Sequence, residues 1–462
     1  MLVAESSANI LKKWRRRAWA IASCDGPPYV AHFHLLDFGS IQFGRRAENA
    51  RQVAWTSFSR RVRVRTWQLP PRPQKTCKVP AIGGGEDDGP AILAAFTECS
   101  KNAKIVLDKY YVVDTLLLTK DLENVEIELS GTVQYTPDIV KWSPQSLYLT
   151  YQNATTFWFL SGNNIHLYGG GTLDGNGQVW WDTLNNTHDS GTAGGSSTTF
   201  ARPIPLTIGN ATNVVVENLR QIGSPFWFVY QSTNVTYKNI DIRSASYSSS
   251  PTANSDGWDI YRSSFVTIRD SVVINDDDCV SFKPNSTNIV VANMWCNGSH
   301  GVSVGSLGQY AGETDIVANV SVTNITMLNA QNGARIKVFG GNPSPTSTVG
   351  GGDGYVKNIT FKDFFVSNAD NPVLIDQCYS TAADICAQYP SKLTISDIHY
   401  INVTGTSSGE EGSVVVSLEC SDTCEDITAT GTNLTSKDGT ATYICKNIAS
   451  TSQLDFNCTA PA

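Results

Sequence analysis

The sequence predicts an all-β fold: a right-handed parallel β-helix with a short N-terminal capping helix. Three observations carry this. A nine-residue phrase recurs, as NVTYKNIDI at 234–242, NVSVTNITM at 319–327, NITFKDFFV at 358–366 and KLTISDIHY at 392–400. Apolar residues hold its positions 2 and 4, a turn-compatible residue holds 6, and apolar residues often return at 7 and 9. The shortest steps between copies, 21 and 23 residues, set a basic repeat near 22. Alternation of period two marks strands, because successive side chains point to opposite faces. The polar residue at position 6 breaks the alternation, so each unit reads as two short strands and a corner. One such coil cannot bury its own apolar face; stacked coils share a core. A β-sandwich or barrel also uses many short strands, but neither needs one recurring phrase.

The chain has 462 residues, 11 cysteines and a net charge of −8. Residues 1–76 carry 14 Lys and Arg against 4 Asp and Glu, a net of +10, which leaves −18 for residues 77–462. Residues 1–76 therefore read as an atypical basic leader. A mispredicted start, a disordered basic arm and a targeting or binding element are its three readings. A secretory signal needs an apolar stretch after its basic start. Here Lys12, Lys13, Arg15, Arg16 and Arg17 interrupt it, and no signal peptide is recognisable. Residues 77–462 read as a single disulfide-bonded domain. Ten cysteines lie there and can pair completely, which leaves Cys24 odd. Twelve Asn-x-Ser/Thr sequons, from Asn153 to Asn457, share that region and point to a secreted, extracellular glycoprotein. Hydrophobic content of 41% allows a large core. No run of about 18 apolar residues occurs, so no membrane span is expected. The acidic balance argues against a nucleic-acid partner.

In chain order, residues 86–101 read as the capping helix. Asp88 serves as N-cap, Pro90 suits the first turn, and Ala91–Phe96 supply the apolar face. Cys99 tethers this helix, with Cys77 the expected partner. Glu86-Asp87-Asp88 resembles a cation site but reads better as capping. Weaker copies of the phrase start at 124, 164, 213, 265, 288 and 426. Residues 178–203, 244–253 and 341–354 are insertions between coils. Cys279 and Cys296 flank the central coils, where a bridge between them would support the stack. Cys420, Cys424, Cys445 and Cys458 can staple the last turns, with their pairing left open.

Chemistry concentrates in four segments: Asn254-Ser255-Asp256-Gly257, Asp276-Asp277-Asp278-Cys279, Gly298-Ser299-His300-Gly301 and Arg335-Ile336-Lys337. Asp256, Asp278 and His300 are each 22 residues apart, one repeat. Equivalent positions on adjacent coils lie about 4.8 Å apart, so these three form a column with Asp277 beside it. Apposed carboxylates resist simultaneous ionisation, which supplies an acid and a base in one groove. Arg335 and Lys337 alternate on one strand, so both face the same way. They suit a substrate carboxylate, with Arg335 able to bind it in two places. Asp, Asn and Ser are common at coil corners, and any one segment alone reads as structural. Stacked like charges followed by a cationic pair are better explained by function.

On these motifs the domain resembles the polygalacturonase family of pectin-degrading glycoside hydrolases (family 28), whose fold is the pectin-lyase-like solenoid. Within the family, the stretch from Asn254 to Tyr310 looks most like the fungal exo-polygalacturonases. The family pattern is Asn-Thr-Asp, Gly-Asp-Asp, Gly-His-Gly and Arg-Ile-Lys, in that order. Ser255 for Thr and Asp276 for Gly are the departures. The resemblance implies hydrolysis of α-1,4 bonds between galacturonic acids, with inversion and with neither cofactor nor metal. It implies Asp277 as general acid and Asp256 and Asp278 as water activators. It implies His300 as the tuner of the acid. It also implies that Asn254, Arg335, Lys337 and Tyr379 bind substrate, and that exo action releases galacturonate. A pectic polysaccharide or oligogalacturonide is the expected partner and a monomer the expected state. The alternatives are an endo-polygalacturonase, a rhamnogalacturonan or xylogalacturonan hydrolase, and a non-catalytic carbohydrate-binding β-helix. Three patterns read as decoys. Gly301-Val302-Ser303-Val304-Gly305 fits an esterase motif that needs a strand–turn–helix elbow. The glycines from 169 to 177 lack a βαβ unit, and His32 with His34 lacks further ligands.

Overall fold

A computed structural model describes residues 75–459 apart from 153, 187–200, 225–227, 343, 345–346 and 348. Residues 1–74 of the basic leader, with Cys24, His32 and His34, lie outside the described residues. From Lys75 onward the chain winds into a right-handed parallel β-helix, the expected fold. Long bent strands stack in register: Thr233–Arg243 on Ser264–Ile274, then Ser286–Asn297, Thr314–Leu328, Asp353–Ala369 and Lys392–Ser407. Short strands stack beside them: Trp258–Tyr261, Val280–Phe282, Val302–Leu307, Asn332–Phe339 and Asn371–Tyr379. All these pairs are parallel. Inward residues such as Val266, Ile289, Val320, Ile359 and Ile398 form one continuous buried column.

Asparagine makes the corners. Positions 1 and 6 of the phrase take a left-handed backbone, as at Asn234 (φ 57°) and Asn239 (φ 54°), or Asn319 (φ 57°) and Asn324 (φ 58°). Asn tolerates that region because its short amide bonds locally. Stacked amides then bond from coil to coil, Asn234 to Asn213 at 2.7 Å and Asn358 to Asn319 at 2.8 Å. The copy at 392 is out of phase. Ile359 pairs with Ile398, so that coil's phrase starts at Asp397, not Lys392. The error arose because this strand keeps alternating before its corner: Leu393 and Ile395 are also buried.

The cap forms as the helix Gly89–Glu98, shorter than 86–101, because Ser100 and Lys101 leave it for the first coil. Phe96 meets Trp158 edge-on at 5.7 Å, joining cap to core. Asp88 occupies the N-cap position without capping. Its carboxylate accepts instead from the amides of Ile82 and Val112, at 2.6 and 2.9 Å. Asp87 accepts from Gly89 N at 2.9 Å and does the local work. The disulfides Cys77–Cys99 and Cys279–Cys296 form as expected, and Cys420–Cys424 and Cys445–Cys458 resolve the open pairing. Cys378–Cys386 completes the five. Of the insertions, the first opens with the helix Gln178–Asn186, anchored by buried Trp180 and Trp181. The second packs on that helix: Gln178 donates to Ser246 and Ser248, and Ser248 donates to Asp182.

Candidate active site

Trp258, Val280 and Val302 are direct partners on three successive short strands. Two residues before each stand Asp256, Asp278 and His300, so the predicted column exists. Backbone bonds continue the pairing through the turns: Gly257 N to Asp278 O at 2.8 Å, and His300 N to Asp277 O at 2.8 Å. Buried Asn275 clamps the acidic turn, its amide within 3.1 Å of the carbonyls of Ser255, Asp277 and Asp278. The Cys279–Cys296 bridge lies directly behind. One coil on, Arg335 pairs with Ser303 and Lys337 with Gly305; Tyr379 follows beside Phe339. Asn254, Asp256, Asp277, His300, Arg335, Lys337 and Tyr379 share one cavity of about 580 Å³. Asp278 is fully buried beside Asp256 and Asp277.

Each carboxylate has its own partners. His300 Nδ1 lies 3.3 Å from Asp277 Oδ1, and Asn254 donates to the other oxygen at 3.3 Å. Asp278 accepts from Lys337 Nζ at 2.8 Å and from Ser303 Oγ at 2.6 Å. Ser303 is thus no nucleophile elbow: it sits mid-strand and braces a carboxylate. Lys283 Nζ lies 3.7 Å from Asp256 and 3.3 Å from Asp259. Oxygens of Asp256, Asp277 and Asp278 come within 4.8 Å of one another. Three cationic side chains already supply counter-charge at that cluster.

These contacts separate the proton affinities. Burial, then Asp259 and Asp277, push Asp256 well above the ordinary carboxylate range. Burial also works to raise Asp277, but His300 overrides it and holds that carboxyl below its usual range. Asp278 is likewise lowered: burial works to raise it, but Lys337, Lys283 and Arg335 together outweigh burial. Burial would lower His300, yet the bond to Asp277 raises it. In the free protein, therefore, Asp256 is the carboxyl that holds a proton most readily, while Asp277 and His300 form an ion pair. The two departures at Ser255 and Asp276 meet: the hydroxyl donates to the carboxylate.

Arg335 and Lys337 both flank the Tyr379 ring, at 5.4 and 5.7 Å from its centre. Arg335 Nε makes no hydrogen bond. Lys337 is less free than its sequence position implied, since Asp278 engages it. Four residues were not foreseen. Buried Arg202 donates to Ala253 O and Asn254 Oδ1, and burial depresses its pKa to about 10. Asp259 and Lys283 line the cavity, as does Gln152. Gln152 donates to Gln309 at 3.1 Å, and neighbouring Tyr151 stacks on Tyr261 at 4.2 Å. Asp259 and Lys283 were findable by extending the column, for Asp259 pairs with Ser281, Ser281 with Ser303 and Ser303 with Arg335. Arg202 had no such signal, because an insertion separates it from its partners.

Comparison with known proteins gives the family. The family model described as glycosyl hydrolases family 28 matches residues 99–454. Exopolygalacturonase X of Aspergillus niger is 44% identical over 396 residues, covering 84% of this chain and 88% of that protein. A probable exopolygalacturonase X of Aspergillus terreus is 45% identical, with 84% and 89% covered. Among solved structures, endo-xylogalacturonan hydrolase from Aspergillus tubingensis superposes with a TM-score of 0.73 at 31% identity, covering 84% of this chain and 99% of that one. With four motifs in order on a matching solenoid, the chain belongs to glycosyl hydrolase family 28.

Proposed function

We propose that this chain is an exo-acting polygalacturonase, which hydrolyses α-1,4-galacturonosidic bonds at a chain end and releases galacturonate. The observation that carries it is one cavity lined by Asp256 and Asp277 together with Arg335, Lys337 and Tyr379, with Asp278 within 4.8 Å of both carboxylates. The fungal exopolygalacturonases at 44–45% identity support the exo reading. So does the contact of Gln152 with Gln309, which joins two loops beside the cavity. Arg335 offers a planar fork to a galacturonate carboxylate, and Tyr379 offers a face to the ring. The substrate is a pectic polysaccharide or oligogalacturonide, met outside the cell by a monomer. No described helix is long and apolar enough to cross a membrane.

Asp277 acts as general acid. Its proton comes from His300: an arriving galacturonate and loss of water raise the proton affinity of Asp277 and let it take that proton. Asp277 then protonates the leaving glycosidic oxygen. Asp256 and Asp278 orient a water and remove its proton as it attacks the anomeric carbon from the other face. The C–O bond to the leaving sugar breaks as the new one forms, and the product is the β-anomer. The carboxylates stand closer than the roughly 6.5–9.5 Å common in inverting enzymes, so NMR of the first-formed anomer is a real test. An initial α product would refute inversion.

The high proton affinity of Asp256 favours a second reading, in which Asp256 donates and Asp277 accepts. An aryl galacturonide with an acidic phenol separates the two, because a good leaving group needs no acid. Asp277→Asn should lose turnover on polygalacturonate yet recover much of it on the aryl substrate, while Asp256→Asn stays inactive on both. Recovery by Asp256→Asn instead reverses the roles.

A further inference from the structure

Two carboxylates, Asp256 and Asp259, face one ammonium, Lys283, in the cavity wall. All three side chains are more than nine-tenths buried. Lys283 follows the strand Val280–Phe282, one residue past the pair Phe282–Val304. Its column continues through Gly305 to Lys337, the cation of Asp278. The cluster thus has a cation in the same column on each side, Lys283 toward the earlier coils and Lys337 toward the later ones. Neither Asp259 oxygen makes a hydrogen bond of good geometry, so its buried charge is balanced by Lys283 at 3.3 Å. A buried charge without such a partner is strongly unfavourable.

We infer that Lys283 is a positioning residue for hydrolysis: clamped by Asp259, it holds the Asp256 carboxylate toward the cavity and keeps it able to act as a base. This rests on the assignment of Asp256 as water activator. The other charges facing Asp256 are Asp277, Asp278 and Arg202, with Tyr151 and Asp278 also facing Lys283. Burial first, then Asp259, Asp277 and Asp278, drive Asp256 toward its protonated form, and Lys283 opposes them. Asp259 weakens that opposition by sharing the ammonium, and burial pushes its own pKa up to about 6 against the pull of Lys283 and of a hydrogen-bonding interaction with Asp256.

The test is the acidic limb of the pH profile of kcat/KM, which reports the base in the free enzyme. Lys283→Met removes the cation, so the limb should move up by about one pH unit or more, with kcat falling more than KM rises. Asp259→Asn frees the cation for Asp256, so the limb should move down. Lys283→Arg keeps a cation and should hold the limb close to its wild-type position. A merely structural role lowers the melting temperature of both variants without opposite shifts. If Lys283→Met does not fold, Asp259→Asn, nearly the same shape, decides alone. Limbs that stay in place, or move in the same direction, overturn the inference. Aryl-substrate recovery by Asp256→Asn overturns instead the assignment of the base.

Discussion

At the residue scale, the chemistry depends on how each carboxylate is held. Ser303 and Lys337 jointly fix Asp278. A hydrogen bond to a charged group is worth about 1.5–3 kcal/mol. Ser303→Ala should therefore cut kcat about tenfold or more with little change in KM, measured by reducing-sugar release; an unchanged kcat removes Ser303 from the account. Arg335→Lys keeps the charge but loses the planar fork over Tyr379. It should raise KM about tenfold with a smaller effect on kcat; equal losses in kcat and kcat/KM would instead mark a contact made only in the transition state. The sequence shows Asp256, Asp277, Asp278 and His300 because equal 22-residue steps connect coils without insertions. It hides Arg202, whose bond to Asn254 spans 52 positions and an insertion. It also hides the engagement of Lys337 by Asp278, since spacing shows which face a side chain shares but not its nearest partner.

At the element scale, the first corner of the phrase holds Asn or Asp in every copy but one. Phe265 stands where Asn234 and Asn288 stand on the neighbouring coils, with φ 57° and 58% of the residue exposed. A bulky residue in that backbone region costs about 1–2 kcal/mol, and it breaks the line of stacked amides. Phe265→Asn should raise the melting temperature by about 1–2 °C for a domain of this size. The change creates Asn-Val-Thr, so calorimetry belongs on protein made in a host without N-glycosylation. A lower melting temperature would mean that the ring contributes more than the strain costs. The recurring phrase made the coils legible, since apolar alternation and corner residues both repeat. Its phase at 392 was not, because alternation alone fits a long strand at several offsets. Only the pairing of Ile359 with Ile398 settles the register.

At the scale of the whole molecule, residues 77–462 carry −18 and act on a polyanion. Long-range repulsion therefore opposes encounter, and Arg335 and Lys337 overcome it only at short range. Raising salt from about 0.01 to 0.1 M shortens the screening length from about 30 to 10 Å. The kcat/KM for polygalacturonate should rise over that range, and a steady fall would contradict the account. Chelators should leave activity unchanged, because cationic side chains supply the counter-charge at the carboxylate cluster. The pH profile should be a bell. Activity is lost below the raised pKa of Asp256, which must shed its proton, and above that of His300, which must hold one. The most direct test of the central claim is the product distribution during the first few per cent of polygalacturonate hydrolysis by the purified protein. Galacturonate alone, with viscosity falling slowly and no release by Asp277→Asn, is the predicted result. Mixed oligomers from the outset, or galacturonate release unaffected by Asp277→Asn, would contradict it.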